Sequence, residues 1–205
     1  LIDIGYGTTG MAVFEEGKLL NVSVFPVGAA NITNDLAIGL KCAIETAEAI
    51  KLSSGAALAK EISSKEQIDL SKIDTKNKAM LSRKFIAEII EVRLAEIFEF
   101  INSELKLLGK TGQLPAGAVL VGAGAKMSGI IELAKQELKL PAQIGVPGTN
   151  VLELTNTEFA NRIEESEFAT SVGLLLWGAD QFGKDKDWFP LKKFSIKNVW
   201  RYFKP

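Results

Sequence analysis

The residues best suited to chemistry are the first nine, Leu1-Ile2-Asp3-Ile4-Gly5-Tyr6-Gly7-Thr8-Thr9. A short apolar strand runs into a glycine turn flanked by one carboxylate and two hydroxyls, which is how a chain holds a polyphosphate. Gly5 and Gly7 let backbone N–H groups approach phosphate oxygens with no Cβ in the way, Thr8 and Thr9 add hydroxyl donors, and Asp3 can hold Mg2+ or one of its waters. A second glycine turn, Gly122-Ala123-Gly124-Ala125, follows the apolar run Ala118–Val121. Either turn alone is equally well an ordinary tight turn after a strand. Two in one chain suggest a single nucleotide gripped at two points.

The rest of the composition narrows the chemistry. There is no histidine, so Ser-His-Asp catalysis and every other imidazole mechanism are excluded within this chain. The single cysteine, Cys42, allows no internal disulfide and no zinc pattern, which fits a reducing compartment and reads as a small helix hydrophobe. No apolar run is long enough for a membrane span or a signal peptide. With 205 residues the chain sits between one large domain and two small ones, so an insertion within a domain is expected. It opens inside a strand without an initiator methionine, and an N-terminal portion of the natural protein is expected to be absent.

Periodicity supplies the elements that must position these turns. Ile2–Ile4, Met11–Phe14 and Leu19–Val27 read as strands, the last two joined by a hairpin turn at Glu15-Glu16-Gly17-Lys18. After Gly28 the period becomes helical, with Asn31 or Thr33 available as N-cap, and a second helical stretch runs from about Ile44 to Leu52. Then follow a strand at Ala118–Val121, a helix from an N-cap at Ser128 through Leu138, a strand at 142–145 and a helix at Ala169–Trp177. This order predicts an α/β fold, a ribonuclease-H-like domain with a mixed sheet, interrupted by an inserted α+β module from about Lys41 to Gly112. The insertion holds a polar stretch, Glu61 to Lys78, able to form only short exposed strands. A long amphipathic helix follows, with Leu81, Phe85, Ile89, Ile90, Leu94, Ile97, Phe98, Ile101, Leu105 and Leu108 on one stripe. Glu88, Glu91, Glu96 and Glu99 take the other face, read as solvated.

The last seventeen residues, 189–205, carry Lys192, Lys193, Lys197, Arg201 and Lys204 and none of the chain's 25 acidic residues, so the remainder is net acidic. On a helical wheel Ile196, Val199, Trp200 and Phe203 share one face, and Lys193, Lys197, Arg201 and Lys204 another. Such a helix suits an anionic membrane surface, each cation being worth about 1 kcal/mol near it. A helix docked on its own domain and a nucleic-acid arm are the alternatives. The clustering of the aromatics, in place of interleaving with the basic residues, argues against nucleic acid.

These residues resemble the FtsA family, the actin-like bacterial cell-division proteins, over their C-terminal half. Asp3–Thr9 is similar to the family's second phosphate motif. Pro26-Val27-Gly28, Asn34–Lys41 and Glu45–Lys51 are similar to its next block, Ala87–Arg93 to its long helix, Gly122–Lys126 to its adenosine motif, and Ala169–Leu175 to its closing helix. The resemblance implies an actin-like ATPase fold with subdomain 2A at 1–40 and 113–187, subdomain 2B at 41–112 and a basic amphipathic tail at 188–205. ATP with Mg2+ would lie against one wall supplied by this chain: Asp3 near the metal, Gly5, Gly7, Thr8 and Thr9 at the terminal phosphates, and Gly122, Gly124, Ala125 and Lys126 under the adenosine. Glu48 and Lys51 match positions that contact ribose and adenine in this superfamily, or else form a surface ion pair of about 0.2–0.5 kcal/mol.

The resemblance further implies self-association into protofilaments and docking of the FtsZ C-terminal peptide on subdomain 2B, with Arg83 and Lys84 as candidates. It implies peripheral attachment through Ile196, Lys197, Val199, Trp200, Arg201, Phe203 and Lys204 to the cytoplasmic face of the inner membrane at the division site, and no nucleic-acid partner. Tyr6, Gly10 and Ala123 depart from the family's usual glycine, aspartate and glycine. Binding with slow or absent hydrolysis is the expectation. Val92 stands where the family often has proline, so the long helix should run unkinked. Two other readings share the fold: a pilus-assembly scaffold of the PilM type, and a small-metabolite kinase. The Asn34–Leu40 segment and the basic tail weigh against the first, and the tail against the second.

Overall fold

The computed structural model describes residues 1–73, 79–148 and 163–182. Strand β1 (Ile2–Ile4) pairs antiparallel with β2 (Thr9–Glu15), which pairs antiparallel with β3 (Lys18–Phe25). The tight connection between β2 and β3 places Glu16 at φ 50° and Gly17 at φ 77°. Two consecutive left-handed residues match the right-handed strand twist in a two-residue hairpin, and glycine takes the second at no steric cost.

Helices α1 (Ala29–Leu40) and α2 (Ile44–Ser54) follow. The α1 N-cap is Gly28, not Asn31 or Thr33. Asn31 instead sits in the first turn and accepts the Gly28 N–H on its side-chain oxygen at 3.0 Å, and the Thr33 hydroxyl lies 3.2 Å from the Ala29 carbonyl. A two-stranded antiparallel pair, β4 (Gln67–Asp69) and β5 (Met80–Ser82), leads into the 25-residue helix α3 (Arg83–Leu107). Ser82 caps α3 by accepting the Phe85 N–H, and the helix runs continuously through Val92, as a residue with a free N–H allows. Leu81 therefore lies in a strand and Leu108 at the C-cap, and Phe85 is nearly half exposed. The stripe that is buried is Ile86, Ile90, Leu94, Ile97, Ile101 and Leu105, at spacings of four and three.

Strand β6 (Ala118–Val121) pairs parallel with β1 and with β7 (Ala142–Ile144), giving the sheet order β3-β2-β1-β6-β7. Helix α4 (Ile130–Leu138) connects β6 to β7 and begins at Gly129, not at Ser128. Gly129 holds φ 78° while Ser128 is drawn into an isolated bridge with Ala56. Helix α5 (Ala169–Phe182) ends the described chain and is five residues longer than the stretch read from sequence. The tail residues Ile196, Lys197, Val199, Trp200, Arg201, Phe203 and Lys204 lie outside the described residues. Among the described residues no helix is long and apolar enough to cross a membrane.

One apolar core joins the sheet face carrying Ile2, Ile4, Met11 and Val13 to Ile32 and Leu36 of α1, the α3 stripe, and Leu133 and Leu138 of α4. Arg93 of α3 clamps α1 from the side with a bidentate grip on Asp35, its Nε at 2.6 Å and Nη2 at 2.9 Å, and also pairs with Glu96. The acidic face of α3 is thus only partly solvated: Glu96 holds Arg93, and Glu91 accepts the Ala59 N–H at 2.7 Å.

Strand β3 is turned against its polarity. Its polar row faces inward, where Asn21 and Ser23 both donate to Glu104 of α3 at 2.9 and 3.0 Å and Phe25 stacks on Phe100. Val22 and Val24 face out, 60% and 67% exposed. The contrast between buried and exposed positions on α3 gives a direct test. Phe98→Ala removes a fully buried ring and is expected to cost about 3–5 kcal/mol, while Val92→Ala, on the solvent side, should stay within about 0.5 kcal/mol. Denaturant unfolding of the two variants measures both.

Candidate nucleotide site

The first glycine turn leaves the C-terminal end of β1. Gly5 N–H bonds the Thr8 carbonyl at 2.9 Å, closing the turn. The turn is seated on the start of α1, where Ala29 N–H donates to the Gly5 carbonyl at 2.9 Å and Ala30 N–H to the Tyr6 carbonyl at 2.7 Å. Gly28 makes this seat possible. A Cβ there would lie 2.6 Å from the Tyr6 carbonyl oxygen and 2.8 Å from both the Gly5 oxygen and the Thr8 nitrogen. Sequence reading placed Gly28 in a motif but not in the site, and its signal was its position between a strand and a helix.

The glycines of this turn answer to different demands. Gly5 would bring a Cβ to 3.0 Å from the Thr8 oxygen, so the turn itself wants no side chain there. Gly7 is exposed, has no positive φ, and a Cβ on it would meet nothing within 4 Å. Nothing in the protein's own packing requires glycine at Gly7, whereas a ligand approaching the backbone would. Tyr6 and Thr8 are also exposed, but Thr9 is fully buried, its hydroxyl donating to the Val27 carbonyl at 2.8 Å. Thr9 therefore anchors the turn from below and leaves Thr8 as the available hydroxyl.

The second glycine turn leaves the C-terminal end of β6, immediately beside the first, because β1 and β6 run parallel with Ile2 opposite Leu120 and Asp3 opposite Val121. Gly122 holds φ 87°, and a Cβ on it would strike Asp3 Oδ1 at 2.3 Å. A Cβ on Gly124 would strike Ile4 Cγ2 at the same distance. Both glycines are thus demanded by contact with β1. Ala125 is buried, and Lys126 pairs with Glu165 and Glu167, the Glu165 contact chiefly raising its pKa. Ser166 grips Gly122 in both directions, accepting its N–H at 2.9 Å and donating its hydroxyl to the Gly122 carbonyl at 3.2 Å. Thr170 of α5 donates to Asp3 Oδ2. Ser166 carries no motif of its own, and Thr170 was read only as part of the closing-helix block; their place beside the turns arises through contacts more than forty residues away in sequence.

Glu48 and Lys51 do meet, Lys51 Nζ lying 2.7 Å from Glu48 Oε2. The pair is not on the surface. Lys51 is buried and also donates to Thr33 at 2.8 Å and to the Ala29 carbonyl at 3.2 Å. Through Ala29 the ammonium braces the same helix start that carries the first glycine turn. Glu48, a third exposed, accepts from Thr33 as well. Burial pushes its carboxyl up, but the hydrogen bonds from Lys51 and Thr33 and the Lys51 charge outweigh it and hold the pKa below the usual 4.5.

The residues present fit a nucleotide: two backbone turns converge at the ends of adjacent parallel strands, where α/β sheets bind ligands. They fit Mg2+ more sparely. Among the described residues no group of three or more carboxylate, cysteine or histidine ligands exists, so Asp3 would act as one carboxylate beside phosphate oxygens and water. The turns form an open wall. A largely apolar cavity of about 930 Å³ runs beneath α5, lined by Leu1, Phe14, Leu114, Val172 and Trp177 and reaching Val121 and Thr170 at the edge of the turns. Arg83 and Lys84 lie far along the chain at the start of α3, where Arg83 is already committed to Glu66 at 2.8 Å and to the Ser54 carbonyl at 3.2 Å.

The sheet order and the helices around it define the actin-like ATPase fold. The chain resembles MreB5 of Spiroplasma citri bound to ADP, with TM-score 0.64 at 16% identity over 91% of this chain and 55% of that one. It also resembles a chain of a PilM–PilN type IV pilus biogenesis complex, with TM-score 0.63 at 19% identity over 86% of this chain and 44% of that one. In sequence it is 36% identical over 178 residues to the cell division protein FtsA of Pseudomonas aeruginosa and 37% identical over 175 residues to that of Bacillus subtilis. These matches cover 87% and 85% of this chain but 41% and 37% of the relatives, so the chain spans about two fifths of their length. The model of the cell division protein FtsA family matches residues 1–173, and the chain belongs to that family.

Two predictions follow from the site. Gly124→Ala should destabilise the fold by about 1–3 kcal/mol through overpacking on Ile4, while Gly7→Ala should leave unfolding free energy within about 1 kcal/mol of the parent, both read by thermal and denaturant unfolding. Because folding lowers the Glu48 pKa, its stabilising contribution is complete above the unfolded value of 4.5 and disappears as pH falls through the lower folded value. Glu48→Gln should therefore reduce stability at pH 7 and flatten the acid limb, with the two proteins converging below pH 4.5 in unfolding titrations.

Proposed function

We propose that this chain forms one wall of an ATP-binding cleft in an actin-like cell-division protein that polymerises and tethers FtsZ filaments to the cytoplasmic face of the membrane at the division site. The observation that carries the nucleotide reading is the exposed Gly7, glycine without any internal need for it, at the same sheet end as the Gly122–Gly124 turn. ATP would lie across both turns, with backbone N–H groups and Thr8 toward its phosphates, Asp3 toward Mg2+, and Gly122 beneath the adenosine. The bound nucleotide would supply the charge that closes a second wall, carried by the remainder of a longer protein, over the first. Glu48 is the more exposed member of its pair and the one that would reach a ribose. Lys51 serves to hold α1. With Tyr6 and Ala123 where the family usually has glycine and Gly10 where it usually has a second carboxylate, hydrolysis would be slow or absent.

The wider reading rests on family membership and on the sequence of the tail. In it, residues 1–40 and 113–187 form subdomain 2A, 41–112 form subdomain 2B, and 188–205 attach to anionic lipid. Lys84, not the committed Arg83, is the cation at the head of α3 left to meet an acidic FtsZ peptide. The PilM type of scaffold remains a second reading of the fold alone.

Binding of a fluorescent ATP analogue, followed by anisotropy with and without Mg2+, tests the nucleotide reading. The Gly7→Val variant, its fold checked by thermal unfolding, should weaken binding at least about tenfold; unchanged binding would refute the role of the turn. Co-sedimentation with anionic vesicles should be lost on removing residues 189–205. Equal sedimentation of the two proteins would refute the tether.

A further inference from the structure

Residues 165–170 touch both glycine turns. Ser166 is bonded to Gly122 in both directions, Glu165 and Glu167 hold Lys126, and Thr170, about one helical turn beyond Ser166, donates its hydroxyl to Asp3 Oδ2. The first three contacts have a plain purpose, since they keep the second turn against β1. The last does not. The bond between Thr170 and Asp3 is exposed, and the start of α5 is already anchored by the buried Ser166 and Val172. Where water can replace either partner, one hydrogen bond adds little to holding a helix in place.

Asp3 also differs from the chain's other engaged carboxylates. Asp35, Glu48 and Glu66 each lie against a cation. Among the described residues Asp3 has no cationic partner, and its donor is a neutral hydroxyl. A lysine or arginine at that place would cancel the charge, whereas a hydroxyl fixes the group and leaves the charge standing. An ionised carboxylate offers about four acceptor positions, of which Thr170 fills one. The group is uncrowded as well. The residue opposite it on β2 is Gly10, and on the other side Oδ1 lies against Gly122, where a Cβ would come within 2.3 Å.

We infer, on the nucleotide reading above, that Thr170 is a positioning residue for Mg2+: its hydroxyl fixes the orientation of the Asp3 carboxylate toward a cation carried by the phosphates. The terminal torsion of an untethered aspartate is broad. Mg2+ demands near-octahedral partners and tolerates little misplacement of a carboxylate or of the water between them. A hydrogen bond that orients such a carboxylate commonly contributes about tenfold to a hundredfold to metal affinity. Because Ser166 and Thr170 belong to one short stretch, the element that seats the second turn also aims the carboxylate beside the first. The two halves of the site are set together.

Anisotropy of a fluorescent ATP analogue bound to the full chain, followed through a Mg2+ titration, tests this role, with thermal unfolding as the check on each variant's fold. Thr170→Val keeps the shape of the side chain and removes the donor. It should raise the Mg2+ concentration at half-effect at least about tenfold, while binding in EDTA stays at the parent value. Thr170→Ala, a second way of losing the donor, should do the same, and Thr170→Ser, which keeps the hydroxyl, should restore the parent midpoint. In an Asp3→Asn background Thr170→Val should change nothing further, because the charge it positions is gone. A Thr170→Val midpoint equal to the parent's, equal weakening with and without Mg2+, failure of Thr170→Ser to restore the midpoint, or a parent that binds the analogue identically with and without Mg2+ would each overturn the role of Thr170 and leave nucleotide binding standing. A parent chain that binds the analogue under neither condition would overturn the nucleotide reading, and this role with it.

Discussion

The site depends on the parallel contact between β1 and β6 at their C-terminal ends. Two strands hydrogen-bonded side by side leave their following loops about one strand spacing apart, close enough to serve one ligand. That closeness is bought by the absence of side chains. Gly122 and Gly124 bring the second turn so near β1 that any Cβ would overlap Asp3 or Ile4. The first turn is settled on α1 by the same device at Gly28. Gly5, Gly28, Gly122 and Gly124 therefore hold the architecture, and Gly7 is left free to face outward.

The polar groups around the turns are mostly already engaged. Thr9, Ser166 and Thr170 spend their hydroxyls on Val27, Gly122 and Asp3, and Lys51 braces the start of α1 against α2. A buried ammonium must be paired to be tolerated, and Lys51 finds a carboxylate, a hydroxyl and a carbonyl. Around the turns the groups not drawn into these contacts are chiefly backbone amides and the Thr8 hydroxyl.

The edge strand β3 shows how one half-buried acid redirects a surface. Glu104 of α3 collects Asn21 and Ser23, and this inward polar contact obliges the alternate residues to face solvent. In a strand the side chains alternate strictly, so the orientation of one row dictates the other.

Local sequence determined a good deal. The alternation and glycine signals located β1, β2, β3, β6 and the hairpin, the 3.6-residue period located α1, α2 and the length of α3, and the two glycine turns were legible as a pair. What tertiary structure alone decided were the partners. Whether Thr9 served a ligand or Val27, whether Lys51 lay outside or within, and whether Gly124 faced a nucleotide or Ile4 depended on which surfaces the folded chain brought into contact. Asn31, Thr33 and Ser128 were sound caps by type, yet Gly28 and Gly129 took those places, because close packing at the first and a positive φ at the second outweighed side-chain propensity. Residue type and spacing specify what a segment can do locally; the distance to a residue forty or a hundred positions away is set only when the core closes.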